Sequence, residues 1–247
     1  MESILLFIAS CGAGMLNAIA GGGTFLAFPT LLWLGVPSIP ANATCTIAIW
    51  PGALAAMLAY RQRVVLPRGK MLAMLIIAII GGWCGAQLLL HLESSQFDAC
   101  VPWLLLVATF ILAYGKKVAA WFHRAGKMPQ ILAWGMLVVT AVYGGFFGAG
   151  IGILLLAMLY MTGLEDLHEM NALKVVLAVG MNASAFFTFL FSGVVAWNYA
   201  PPMIAGAIFG GYMGAKVGLR IPQQQLKRVV LCIAIVSTMY FFVDFYG

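Results

Sequence analysis

The residues best suited to chemistry form a short polar stretch inside a long apolar run. Asn17 and Thr24 flank three consecutive glycines, Gly21, Gly22 and Gly23, within a run of 33 residues that carries no charge. Amide and hydroxyl groups donate hydrogen bonds, and glycines let a ligand approach the backbone closely. A charged solute in an apolar environment needs such donors, because leaving it unpaired there is costly. The stretch therefore predicts a binding site for an ion or a small substrate.

The same glycines predict a break in the helix that contains them. As one helix, the run would be about 50 Å long, well beyond a bilayer core of roughly 30 Å. A break exposes backbone N–H and C=O groups that lipid cannot satisfy, so it must be buried in protein or line a watery cavity. Transporters bind ions and substrates at such breaks. The alternative is that the glycines only allow neighbouring helices to pack closely.

The composition identifies a membrane protein. The chain is 64% hydrophobic and 8% charged, with a mean hydropathy of +1.03, whereas soluble domains carry about 25% charged residues. The first apolar run lacks a preceding basic region and a cleavage site, so it reads as a span and not as a removed signal peptide. The net charge of +6 comes from basic residues in short loops, which set orientation. We expect a multi-pass protein of a prokaryotic inner or plasma membrane, in contact with the lipid bilayer and with no nucleic-acid partner.

Polar and turn signals divide the chain into ten apolar segments, which predict an all-α integral membrane protein with eight to ten membrane segments. The first five lie near 4–20, 24–36, 42–60, 70–91 and 98–115, and the second five near 130–147, 150–163, 169–192, 200–219 and 227–245.

The two sets of segments match each other and predict an internal duplication. Gly81–Ala86 recurs 129 residues later as Gly210–Ala215, and Asn42-Ala43 recurs at the same offset as Asn171-Ala172. Agreement in order, spacing and residue type is not expected by chance. The predicted domains are a first membrane repeat at 1–115, a basic linker at 116–129 and a second membrane repeat at 130–247.

The relative orientation of the repeats depends on how many segments cross. If all five cross, the basic loops at 61–70, 116–127 and 220–228 share one side, and both termini lie on the other. If the first two segments of each half cross only once together, the last of these loops changes sides. The excess of basic residues on cytoplasmic loops favours the first arrangement, which is an inverted repeat. The segments at 24–36 and 150–163 are too short for an upright span, so each repeat should begin with a broken or re-entrant helix.

Further candidate binding residues follow from the repeat and from polar side chains near the breaks. Gly148 and Gly150 correspond to the first break and predict a second one. Asn42, Thr44 and Thr46 are additional donors in the third segment. The alternative for each threonine is a hydrogen bond to its own helix backbone.

Lys174 is the most informative charge, because it lies about six residues into the eighth segment. Ionisable residues within a span are costly and point to function. Asn171, one turn earlier, and Asn182, two turns later, would extend a polar stripe along the same helix face. The alternative is that Lys174 reaches the interface or pairs with an acid in the loop at 165–169.

Taken together, these motifs resemble the TauE/SafE sulfite-exporter family, also called the toluene-sulfonate uptake permeases. The motifs are Asn17–Thr24 with Pro29, Leu34–Pro37, Asn42–Thr44, Tyr143–Gly148, Asn171–Lys174, Ser192–Val195 and Gly211–Gly218. The resemblance spans nearly the whole chain. It implies an integral membrane carrier for small sulfur-containing anions such as sulfite or organosulfonates.

No pattern typical of an enzyme is found. The sequence contains no Ser/His/Asp order, zinc spacing or P-loop, and the five cysteines have no CxxC spacing. We therefore expect no catalytic residue, metal or cofactor. The expected function is a secondary transporter that works by alternating access. A passive anion channel is one alternative, and a membrane-embedded enzyme is another. GxxxG spacings such as Gly81/Gly85 indicate close helix packing, within the chain or in a homodimer.

Overall fold

The structure, a computed structural model, describes residues 2–60, 68–124, 129–162, 164, 167–217 and 223–246. These residues form ten α-helices, one for each predicted apolar segment. They are α1 (Glu2–Ala20), α2 (Thr24–Trp33), α3 (Ser38–Tyr60), α4 (Arg68–Leu90), α5 (Ser94–Arg124), α6 (Gln130–Phe146), α7 (Ile151–Met161), α8 (Leu167–Ser192), α9 (Ala200–Val217) and α10 (Gln223–Tyr246).

Helices α1 and α2 form a hairpin, because the glycine triplet reverses the chain. Gly21 has a φ of 75°, a conformation that glycine adopts at little cost. Beyond the turn, Gly23 lies against Ala13 and Leu26 lies against Gly12. The second helix therefore returns along the first. Its ten residues are about 15 Å long, roughly half the bilayer core.

Rows of glycines bring pairs of helices into close contact. Helix α9 packs along α1, and α6 packs along α4. Three contacts between α9 and α1 occur in the same order along both helices: Gly206 with Phe7, Gly210 with Cys11, and Gly214 with Met15. The two helices are therefore parallel. Gly81 and Gly85 meet Ala141 and Val142 of α6 in the same way. These GxxxG spacings serve packing within the chain.

Helices α3 and α8 cross at the middle of both. The indole Nε1 of Trp50 donates a hydrogen bond to the carbonyl oxygen of Val179 at 3.1 Å, and Ala53 packs against Val175 and Val179. Because the contacts advance along α3 as they recede along α8, the two helices are antiparallel. Helices α5 and α10 are antiparallel as well, since Thr109 bonds Thr238 at 3.1 Å while Trp103 bonds Tyr246 at 3.1 Å.

The protein is an all-α, multi-pass membrane protein. In the described part of the chain, four stretches are long and apolar enough to cross a membrane: 2–19, 69–90, 94–114 and 169–192. Helix α5 continues past residue 115 to Arg124, so much of the expected basic linker is helical. Most of the basic loop at 61–70, part of the linker, the loop after α9, and Glu165 and Asp166 lie outside the described residues.

Candidate functional site

A small cavity lies where the two helix breaks meet the crossing of α3 and α8. The first break contributes Asn17 and Thr24, and the second contributes Phe147, Gly148 and Ile151. The remaining lining residues are Cys45, Thr46, Ile49, Trp50 and Ala53 of α3, with Asn182 of α8. The cavity therefore lies near the centre of the bundle and combines polar side chains from several elements.

The two breaks are in direct contact. A Cβ placed on Gly21 would lie 2.5 Å from the Cα of Gly152, so only a glycine allows this approach. Within the described chain, the backbone N–H groups of Gly22, Gly23 and Thr24 donate no hydrogen bond. These groups form the N-terminal end of α2, which carries the positive end of the helix dipole. Since Thr24 lines the cavity, unpaired donors lie at its edge.

The second break contains two glycines in the left-handed backbone conformation and is stabilised by a hydrogen bond from one tyrosine. Gly148 has a φ of 78° and Gly150 a φ of 75°. Between them, the carbonyl oxygen of Ala149 accepts a hydrogen bond from the Tyr143 hydroxyl at 2.8 Å. The N-terminus of α7 follows directly, with Ile151 on the cavity wall. Both short helices therefore begin beside the same space.

Lys174 is buried at the C-terminal end of α1 and does not line the cavity. Its side chain is only 2% exposed. The ammonium Nζ donates to the carbonyl oxygen of Ile19 at 3.4 Å and to Oδ1 of Asn171 at 3.2 Å. A cation at this end of a helix is favourable, because the C-terminal end of the dipole is negative. Among the described residues, Lys174 is the only charged side chain that is buried.

The candidate residues of α3 divide between the cavity and the surrounding helices. Thr46 lines the cavity, although its hydroxyl donates to the Asn42 carbonyl oxygen at 3.1 Å, as the alternative reading anticipated. Asn42 reaches across the bundle, and its amide nitrogen donates to the Phe146 carbonyl oxygen at 2.9 Å. Thr44 is placed away from the cavity, where its hydroxyl oxygen accepts a hydrogen bond from the Ala196 backbone N–H at 2.9 Å.

The structure thus brings together one part of the predicted set and leaves another part beside it. Asn17, Thr24, Thr46, Gly148 and Asn182 line the cavity. The remaining predicted glycines and the pair of Lys174 with Asn171 do not line it; these glycines are Gly21, Gly22, Gly23 and Gly150. Asn42 and Thr44 connect helices instead.

Sequence reasoning missed the apolar half of the lining, namely Cys45, Ile49, Trp50, Ala53, Phe147 and Ile151. Trp50 is the one residue with a usable signal, because a tryptophan in the middle of a span is unlike the interfacial tryptophans typical of membrane helices. The others cannot be distinguished from core residues by type or spacing.

The cavity is too small for an oxyanion. A water-sized sphere can be centred in only about 20 Å³ of it, which is room for about one water molecule. An oxyanion with four or more heavy atoms does not fit without movement of the walls.

The chain is similar to bacterial membrane transporters along nearly its whole length. A family model described as "Sulfite exporter TauE/SafE" matches residues 6–241. A "Probable membrane transporter protein" of Haemophilus influenzae is 28% identical over 95% of this chain and 92% of the relative. "Probable membrane transporter protein ORF9" of Sinorhizobium sp is 25% identical over 97% and 92%. "Probable membrane transporter protein YfcA" of Escherichia coli K12 is 24% identical over 98% and 90%. No solved structure matches the chain.

Proposed function

The chain belongs to the sulfite exporter TauE/SafE family, and on that basis we propose that it is a secondary transporter of small sulfur-containing anions such as sulfite or organosulfonates. The single observation that carries the proposal is the cavity between the two helix breaks, where Asn17, Thr24 and Asn182 supply polar groups. The N-termini of α2 and α7 begin at this cavity. Such helix ends bind anions through unpaired N–H groups and the helix dipole.

The charge of the interior favours an anion over a cation as the transported solute. Lys174 is the only buried charge among the described residues. Its ammonium lies at the C-terminal end of α1, the helix that contributes Asn17 to the cavity. A fixed positive charge in a medium of low dielectric constant attracts an oxyanion much more strongly than it would in water. The ammonium also keeps the C-terminus of α1 in place beside the break.

Alternating access between two inverted repeats is the mechanism that we propose. The packing pairs support it: α1 lies on α9 as α6 lies on α4, and α3 meets α8 through positions separated by 129 residues. Helices α3 and α8 occupy equivalent positions in the two repeats and run antiparallel. This is the relation expected if the second repeat crosses the membrane in the opposite direction to the first. Opening of the hairpin α1–α2 would expose the cavity to one side, and opening of α6–α7 would expose it to the other.

Transport assays in proteoliposomes test the proposal. The purified protein should take up radiolabelled sulfite or an organosulfonate with saturable kinetics, and internal unlabelled anion should accelerate this uptake by counterflow. A passive channel predicts conductance without counterflow, and a membrane enzyme predicts chemical conversion of the added compound. Chloride of equal ionic strength serves as the control anion. Absence of counterflow with every sulfur anion tested would refute the carrier.

A further inference from the structure

The side chain of Asn42 leaves one polar atom unpaired in the interior. Asn42 is 1% exposed, and its amide nitrogen donates to the carbonyl oxygen of Phe146. Only the nitrogen can face a carbonyl oxygen, so the orientation of the amide is fixed chemically. Its Oδ1 accepts no hydrogen bond from the described part of the chain. Because buried polar atoms are rarely left without a partner, this oxygen points to an unassigned ligand.

The corresponding asparagine in the second half has a positively charged partner. Asn171 follows Asn42 by 129 residues, and its Oδ1 accepts a hydrogen bond from the Lys174 ammonium at 3.2 Å. The same ammonium donates to the carbonyl oxygen of Ile19. The cation therefore lies between an asparagine oxygen and the C-terminal end of the helix that precedes a break.

The first half repeats this arrangement without the charge. Asn42 bonds the C-terminal end of α6, which precedes the second break, as the Lys174 ammonium bonds the C-terminal end of α1. Three residues after Asn42 the chain has Cys45 where three residues after Asn171 it has Lys174. The Cys45 thiol is free and buried, and it lines the cavity. The unpaired oxygen of Asn42, the negative C-terminal end of α6 and the small side chain of Cys45 thus occur together.

We propose that a small monovalent cation binds here, at the C-terminal end of α6, with Asn42 Oδ1 as a ligand. Ser38 lies one turn earlier on the same face of α3 and is 5% exposed, and its hydroxyl oxygen has no partner among the described residues. It supplies a second oxygen. Carbonyl groups at the ends of interrupted helices bind coupling ions in other transporters. The bound cation would occupy the position that the Lys174 ammonium takes in the other half.

The role of this cation rests on the proposed function, whereas its binding does not. A cation beside Cys45 would adjoin the cavity and would offset the charge of a transported anion. Each ligand would then raise the affinity for the other by the same factor, as thermodynamic linkage requires. The cation would therefore couple anion movement to an existing ion gradient.

Binding is tested on the full-length protein in detergent, without any sulfur anion. The thermal midpoint is measured in sodium chloride, potassium chloride and choline chloride at constant ionic strength, and at two pH values. At a cation concentration about 100 times the dissociation constant, the midpoint should rise by about 5–10 °C. The salt series and the pH pair identify sodium, potassium or the proton as the ligand.

Two substitutions of Cys45 test whether the cation binds at this site. Cys45→Lys would supply a fixed ammonium and should abolish the cation-dependent shift, whereas the matched control Cys45→Ser should retain it. If Cys45→Lys does not fold, Asn42→Asp takes its place and should lower the half-saturating cation concentration about tenfold or more. The proposal is overturned if no cation shifts the midpoint of the unmodified protein, or if the shift survives in Cys45→Lys. Because no sulfur anion is present, neither result bears on whether the protein transports sulfur compounds.

Discussion

Gly21 and Gly152 join the two helix breaks through their backbones. A Cβ on Gly21 would lie 2.5 Å from the Cα and 2.8 Å from the nitrogen of Gly152, so no other residue fits at position 21. Each break therefore fixes the position of the other, and the N-termini of α2 and α7 are held beside one cavity. Movement of one hairpin must be transmitted to the other or must separate this contact.

Gly21→Ala should damage both stability and transport. The methyl group would clash with backbone atoms, and the φ of 75° is strained for alanine, so the expected loss is about 3 kcal/mol or more. The control is Gly35→Ala. Gly35 has a φ of 79° but no neighbouring atom within 4 Å, so its substitution should cost only about 1 kcal/mol. Thermal unfolding in detergent and counterflow measure the two effects. Equal losses in both variants would show that the contact with Gly152 is unimportant.

Lys174→Ala should weaken anion transport about tenfold or more. The substitution removes the only buried positive charge among the described residues and leaves the Ile19 carbonyl oxygen without its donor. Lys174→Met keeps most of the side-chain volume and should show the same loss, whereas Lys174→Arg should retain part of the activity. Initial rates of uptake, normalised to the amount of folded protein in the membrane, provide the measurement.

The matched control for this charge is Lys216→Ala. Lys216 is exposed at the end of α9, where its ammonium lies 4.4 Å from the ring centre of Tyr212. Its loss removes one positive charge from the protein but none from the interior. Transport should change less than twofold. If both lysine variants transport equally well, Lys174 has no part in binding the anion.

The sequence was informative about the segments and the breaks because both have strong physical signatures. Ten apolar runs predicted ten helices, and the glycine triplet at Gly21–Gly23 predicted the break between α1 and α2. The repeat also predicted the second break, at Gly148 and Gly150. The all-α membrane fold and the family are confirmed. The inverted repeat and the role of the site residues remain predictions.

The sequence was less informative about which polar residues share a surface. Thr44 and Thr46 are two positions apart on one helix, yet one bonds the Ala196 backbone and the other lines the cavity. Residues two positions apart lie on roughly opposite faces of a helix, but which face of α3 meets the cavity depends on how α3 packs against the other helices, and no local pattern specifies that packing. The cavity lining from Ile49 and Trp50 was missed for the same reason.

Thr24→Val should reduce the affinity for the anion while leaving the fold intact. The Thr24 hydroxyl makes no hydrogen bond with the described residues and faces the cavity wall, so valine removes a donor at nearly constant volume. Loss of one hydrogen bond to a charged ligand should raise the KM about tenfold. Thr44→Val is the control, because its hydroxyl bonds Ala196 outside the cavity. That variant should lose about 1 kcal/mol of stability with little change in KM. An unchanged KM in Thr24→Val would remove this hydroxyl from the site.

The membrane orientation is tested by labelling single cysteines in whole cells. Helix directions place the turn between α4 and α5 on the side of both termini, and they place the start of α4 on the opposite, basic side. In a variant with all five native cysteines replaced by serine, Ser95→Cys should react with a membrane-impermeant maleimide in intact cells. Lys70→Cys should react only after permeabilisation, because basic loops are retained in the cytoplasm. Both positions are exposed, so accessibility to solvent does not differ between them. Labelling of Lys70→Cys alone in intact cells would show that the orientation is the opposite one. Labelling of both variants in intact cells would contradict the assigned helix directions.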